Sequence, residues 1–241
     1  MKRFPHYSVL ALVPIIFLSG CIDPQRIREM SQEMEQNIKR NNARSYLMLR
    51  ETSRSELQAR SPCCDNLATV RPSVRFRAND SIATVGVGSM LDNRVLEIDG
   101  HRSYYGMFDL DGPMSGAQSI DVSLMATPGY ADPESLDIAA TILFPDFLYL
   151  DSQRREISRA SLSPGSNGHR IGGTIRPPQG THYIVVYSSK ESLASKPARL
   201  WFAGGTSAAP IGGAMIVMRT PPRESTFLPA HKGSVTFTLT Q

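Results

Sequence analysis

The sequence predicts a mainly β protein: an antiparallel β-sandwich of jelly-roll or immunoglobulin-like type, preceded by an N-terminal helical spacer. Three observations carry this expectation. Glycine (18) and proline (17) together make up about one residue in seven of the 241, which favours turn-rich β structure over a helical bundle. From residue 70 onward, short apolar runs alternate with turn signals. Residues 25–50, by contrast, contain neither Gly nor Pro. The hydrophobic fraction of 41% is enough for a core, and 20% charged residues rule out a disordered acidic or basic tail. A formal charge of +4 is too small for the concentrated basic face of a nucleic-acid binder.

The first element is an address. Lys2 and Arg3 form a positive n-region, and residues 7–18 are nearly all apolar. That run is too short to span a bilayer and has the length of a signal h-region. It ends in Leu18-Ser19-Gly20-Cys21, which resembles a bacterial lipobox: a small residue before the cleavage point and a thiol that receives the lipid. Two or three acyl chains on Cys21 give stable membrane anchoring where one alone would be marginal. Ile22 rather than an acidic residue follows Cys21, so the expected location is the outer membrane, lipid-anchored and facing the periplasm. Removal of residues 1–20 takes Lys2 and Arg3 with it and lowers the formal charge from +4 to +2. The chain thus divides into a signal peptide (1–20), an anchor and helical spacer (21–60) and a β domain (61–241).

The second element is the spacer. Asp23-Pro24 is a good helix start, with Asp as N-cap and Pro at the first helical position. Ile27, Met30, Met34 and Ile38 then recur at spacings of three and four, a narrow apolar stripe. The stripe lapses at Asn41 and Asn42 and resumes at Tyr46 and Leu49. A helix over 25–50 would reach roughly 40 Å at about 1.5 Å per residue. Its plain role is to hold the domain off the membrane; the sharper one is to dock a partner.

Pro62-Cys63-Cys64 closes this section. With Cys21 lipidated, Cys63 and Cys64 are the only other thiols, and an oxidising compartment does not leave exposed thiols free. A vicinal disulfide, a bond to another chain and a buried reduced pair are the alternatives. A metal site has little support, because His101, His169, His182 and His231 are scattered. No cofactor is expected.

The β domain follows. Strands are expected over 74–77, 94–98, 104–110, 119–125, 138–144 with 147–150, 183–187, 200–203, 214–218 and 234–239. Val235, Phe237 and Leu239 alternate with Ser and Thr, the pattern of a half-buried antiparallel strand. Turns are expected at Asp99-Gly100 and Asp111-Gly112-Pro113 among others.

Chemistry is sparse. Gly205-Thr206-Ser207-Ala208-Ala209-Pro210 looks like the segment around a subtilisin-type serine, but Pro210 comes one residue too early and no partner segments exist. A small-residue loop between two strands is the expected structure. Asp109-Leu110-Asp111-Gly112 resembles the start of a calcium loop without its later ligands. Asp146 and Asp151, a conceivable glycosidase pair, are explained as strand-end turns. No catalytic residue is expected, and the chain is expected not to be an enzyme. Sugars stack their C–H faces on flat rings, so Trp201, Tyr104 and Tyr105 are candidate sugar or partner contacts, provided two or three rings share an exposed face.

Several short motifs recur in a fixed order: Pro62-Cys63-Cys64, then Ser103-Tyr104-Tyr105-Gly106-Met107-Phe108, then the run Ile142-Leu143-Phe144-Pro145-Asp146-Phe147 leading to Leu150-Asp151. Tyr183-Ile184-Val185-Val186-Tyr187-Ser188 and His231-Lys232-Gly233 complete the set. The ordered set, covering residues 61–241, resembles the maltose operon periplasmic protein family, MalM. That resemblance implies a non-enzymatic role in maltose or maltodextrin uptake, by sugar binding or by docking to an uptake-system protein, and supplies no catalytic residue. The alternative is an envelope interaction protein with no sugar role, which would use the spacer helix and the 203–214 segment.

Overall fold

The computed structural model describes residues 23–241 apart from 64–66, 77–81, 90–92, 116–117, 168–169, 212–213 and 241. Helix α1 (Pro24–Ala59) comes first, followed by β1 (Val74–Arg75), β2 (Ile82–Val87), β3 (Val95–Ile98), β4 (His101–Asp109), β5 (Ser119–Leu124) and β6 (Thr127–Ala131). Then come β7 (Ile138–Leu143), β8 (Asp146–Leu150), β9 (Glu156–Ser161), β10 (Gly165–Asn167), β11 (Arg170–Ile175) and β12 (Tyr183–Tyr187). A short helix α2 (Lys190–Ala194) leads to β13 (Ala198–Phe202), β14 (Gly205–Ile211), β15 (Ala214–Thr220), β16 (Arg223–Ala230) and β17 (Gly233–Thr240).

The fold is mainly β, in antiparallel-rich sheets behind an N-terminal helix, as a β-sandwich requires. One sheet runs β1-β4-β12-β8-β9, with β3 also on β4; a second runs β10-β11-β5-β17-β2; a third runs β13-β16-β7-β6. Among the described strands only β1 with β4 and β16 with β7 pair in parallel.

The first two sheets face each other across a phenylalanine cluster. Phe108 of β4 stacks on Phe237 of β17 at 3.9 Å between ring centres, with Phe76 and Phe147 alongside. The sheets approach so closely that a Cβ on Gly106 would lie 2.5 Å from a Val85 methyl, which makes glycine necessary there. The other face of the first sheet carries its own buried cluster of Leu96, Tyr105, Met107, Leu148 and Val185. Burial on both faces is why β4, β8 and β12 read as continuous apolar runs. In the second sheet β2 and β5 alternate buried and open positions, so one face meets solvent.

Several expected elements take a different form. The helix runs nine residues beyond 50, to Ala59, because residues 51–59 contain no helix breaker. The Asp23 side chain caps it, accepting from the Gln25 N–H at 2.9 Å. Segment 205–211, expected to be a loop, is strand β14; it pairs with β15 from Gly205↔Thr220 to Ile211↔Ala214 as a two-stranded hairpin outside the three sheets. Strands β2, β6, β9, β10, β11 and β16 lie where the sequence reading placed none. Their glycines, prolines or exposed polar residues hide the two-residue period.

The described residues split into two units, one ending at Asn37 and the other beginning at Ile38. In the first, Ile27, Met30 and Met34 stand exposed on α1. In the second, Ala43, Tyr46, Ser53 and Leu57 turn one face of the same helix into the β domain and are buried.

Candidate functional site

The helix segment of the second unit is held by specific bonds. The Tyr46 hydroxyl donates to the Pro229 carbonyl at 3.0 Å, and Arg50 donates to the Leu193 carbonyl at 3.0 Å. Glu56 accepts from Lys232 Nζ at 2.6 Å and from the Tyr104 hydroxyl at 3.0 Å, while the Lys232 ammonium sits 5.0 Å over the Tyr104 ring. The Lys232 bond, then the Tyr104 bond, hold the Glu56 carboxyl below its ordinary range. Burial, then the bond to Glu56, push Tyr104 up.

Between this helix and the β domain lies a cleft of about 990 Å³. The helix supplies Arg50, Glu51, Arg54 and Leu57 to it; β3 and β4 supply Glu97, His101 and Arg102; α2 supplies Lys190 and Leu193; His231 lines it from the turn before β17. The local sequence explains the placement. Asp99 and Gly100 both take positive φ (52° and 73°), closing β3 onto β4 through the two-residue turn their identities favour, so Ile98 pairs His101. Ser189 caps α2 by accepting from the Ser192 N–H at 3.1 Å, which starts that helix at Lys190.

The cleft's electrostatics are those of a positive site. Arg102 bonds Glu97 at 3.2 Å and donates to the Gln58 carbonyl at 2.8 Å. The side chains of Arg54 and Lys190 make no hydrogen bond or salt bridge to another described residue. His101 Nε2 and His231 Nδ1 are buried without a hydrogen-bond partner among the described residues. His231 is 8% exposed. Burial first, then the positive field of His101, Arg50, Lys232 and Arg54, pushes its imidazole down to about 4.

This has a consequence in acid. An unfolded His takes its proton near 6.5, whereas the folded His231 resists until about 4, so the unfolded state binds more protons between those values and stability falls as pH falls through that window. The loss over the whole window is about 3 kcal/mol. Denaturant unfolding of wild type and His231→Gln at pH 7 and pH 4.5 should show a steeper decline in the wild type. Equal declines would mean His231 is not the titrating group.

The candidates named from sequence fall elsewhere. Tyr104 and Tyr105 are corrected as ligand contacts: both are completely buried, so neither ring offers a face to a sugar. Trp201 is 61% exposed on β13 and does not line the cleft. The shared exposed face that stacking requires is therefore absent for these three rings. Cys63 is disulfide-bonded and its sulfur accepts from the Tyr105 hydroxyl at 3.1 Å; Cys64 and Cys21 lie outside the described residues. Asp146 accepts from the Ser161 hydroxyl and the Ser189 N–H, and Asp151 holds the 151–155 turn by accepting from the Gln153 and Arg155 N–H groups. Asp109 accepts from the Asp111 N–H and meets Arg75 at 3.5 Å. Among the described residues no three His, Cys, Asp or Glu side chains gather as a metal site.

The cleft residues were missed because they come from four separate stretches of chain. One faint signal was present: Arg50 and Arg54 lie one turn apart on the helix face that carries Tyr46 and Leu57.

No family model, curated protein or solved structure matches this chain.

Proposed function

We propose that this chain is a non-enzymatic lipoprotein of the bacterial envelope, held at the outer membrane and facing the periplasm by acyl chains on Cys21. It serves carbohydrate uptake of the maltose and maltodextrin type as a binding module, taking a small polar ligand or docking to an uptake component. The observation that carries the binding role is the helix–sheet cleft: about 990 Å³, lined by guanidinium, imidazole and carboxylate groups over a floor of Leu57 and Leu193. Its volume suits a small ligand, and its lining suits hydrogen bonding rather than stacking. The lipobox supports the anchor, and the ordered motifs that resemble the MalM family support the process.

The alternative is an envelope interaction protein with no sugar role. It draws on the β14–β15 hairpin, whose two strands pair only with each other and leave both outer edges unpaired in the described structure.

Calorimetric titration of the full-length protein in detergent tests the binding role. Maltotriose and a panel of neutral and charged monosaccharides form the ligand set. Saturable heat from at least one of them at millimolar concentration or below is expected; silence from all rejects sugar binding and leaves docking. In cells, Cys21→Ser should move the protein out of the membrane fraction. A variant that still fractionates with the outer membrane would show that lipidation is not the tether.

A further inference from the structure

We propose that the helix–sheet cleft is an anion site and that its ligand carries a phosphoryl group, bound through Arg54 and Lys190 with His101 and His231 behind them. This deepens the binding reading given above and rests on it.

Charge comes first. Arg50, Arg54, Arg102 and Lys190 line the cleft against Glu51 and Glu97, so the Arg and Lys side chains outnumber the carboxylates by two. A phosphate monoester carries about that charge with opposite sign at neutral pH. A neutral sugar has no use for such an excess, which costs self-repulsion when the cleft is empty.

The commitments of the cations come second. Arg102 is occupied by Glu97 and by two backbone carbonyls, and Arg50 holds the Leu193 carbonyl. Those two shape the cleft. Arg54 and Lys190 are exposed, line the same cleft from different elements, and their side chains bond no other described residue. Their donors are available to a ligand. A guanidinium fork and an ammonium are the two groups that most often grip a phosphoryl oxygen.

The third observation is independent of charge counting. Two buried imidazole nitrogens, His101 Nε2 and His231 Nδ1, lack partners in the cleft wall. Buried polar atoms are nearly always satisfied by protein or by ordered water, so two unpartnered nitrogens in one wall leave hydrogen-bonding capacity unused beside the cations. Either nitrogen can donate to a phosphoryl oxygen once ligand entry uncovers it and the contact sets its tautomer. An anion there also relieves the positive field that now acts on His231.

The shared chemistry, a phosphoryl oxygen, belongs both to small phosphorylated metabolites and to lipid headgroups. The experiment separates them. Full-length protein in detergent is titrated with inorganic phosphate, glucose 1-phosphate, dihexanoyl phosphatidylglycerol and, as the uncharged controls, glucose and maltotriose. At least one phosphate-bearing probe should bind at millimolar concentration or below while glucose does not. Glucose 1-phosphate binding tighter than the lipid indicates a soluble ligand; the reverse order indicates a headgroup. Arg54→Gln and Lys190→Gln should each weaken that binding about tenfold, the loss of one charge-assisted contact. Both positions are exposed, and unchanged far-UV circular dichroism and melting would show the fold intact.

Maltotriose binding that both variants leave untouched, with no phosphate response, overturns the anion assignment and spares the binding role. Phosphate binding that neither variant weakens overturns the assignment to this cleft. Silence from every probe overturns both the anion site and the binding role.

Discussion

Phe237→Ala is expected to lower the unfolding free energy by about 3–5 kcal/mol, the range for removing a large aromatic side chain from a packed core. The ring is completely buried, stacks on Phe108 at 3.9 Å and lies within 6.5 Å of both Phe147 and Phe76. It therefore joins β17 to β4 and β8 across the two facing sheets. The substitution removes the hydrophobic transfer energy and leaves a cavity that rigid sheets on both sides cannot collapse. It also removes the aromatic contacts, each worth about 0.5–1.5 kcal/mol beyond area alone. Urea unfolding followed by far-UV circular dichroism would measure it, with Phe237→Leu as the intermediate case. A loss below about 1 kcal/mol would mean that the two sheets are not packed through this ring.

Leu57→Ala is expected to cost about 2–4 kcal/mol, and locally. Leu57 is almost fully buried and belongs to the main core cluster, yet it sits two residues from the end of α1. The polar contacts that also hold this segment, from Glu56 to Lys232 and Tyr104, are part-exposed and individually modest. Losing Leu57 should therefore loosen the helix before the sheets. Hydrogen exchange should accelerate in residues 43–59 while β4, β12 and β17 keep their protection. The helix is one wall of the cleft, so ligand affinity should fall with it. Uniform acceleration across the whole domain would instead make the helix and sandwich one cooperative unit.

How much of this was legible in the sequence depended on what each segment packs against. Strands buried on both faces, such as Tyr183–Tyr187, announce themselves as unbroken apolar runs and need no knowledge of their neighbours. Strand Glu156–Ser161 lies at the edge of its sheet with mostly open positions, so nothing in its composition asks for burial. Strand Arg170–Ile175 contains Gly172, where a Cβ would fall 1.8 Å from the Val122 carbonyl oxygen; the glycine that suggests a turn is there to let two backbones meet. The exposed stripe Ile27–Met30–Met34 and the buried face Ala43–Tyr46–Leu57 look alike as periodicity, and only the fold decides which one finds a partner surface.

The cleft was illegible for a different reason. His101 and His231 are 130 positions apart and line one cleft because the start of β4 and the turn between β16 and β17 both face the same helix segment. Tyr104 and Tyr105 misled because neighbouring aromatics on a strand point to opposite faces, and here both faces are covered.

The position of β17 also sets a timetable for assembly. The last described strand, β17, lies inside its sheet, between β5 and β2, and pairs with a strand some 150 residues earlier. As the polypeptide emerges from its N-terminus, β2 and β5 have no shared neighbour, and the Phe108 ring has the edge of Phe76 but lacks its stacked partner until residue 237 arrives. A nascent chain truncated anywhere before that point carries an incomplete sheet with open edges and an uncovered aromatic cluster. Such a topology folds late and slowly, and its unfinished forms are the ones a chaperone or a protease would meet.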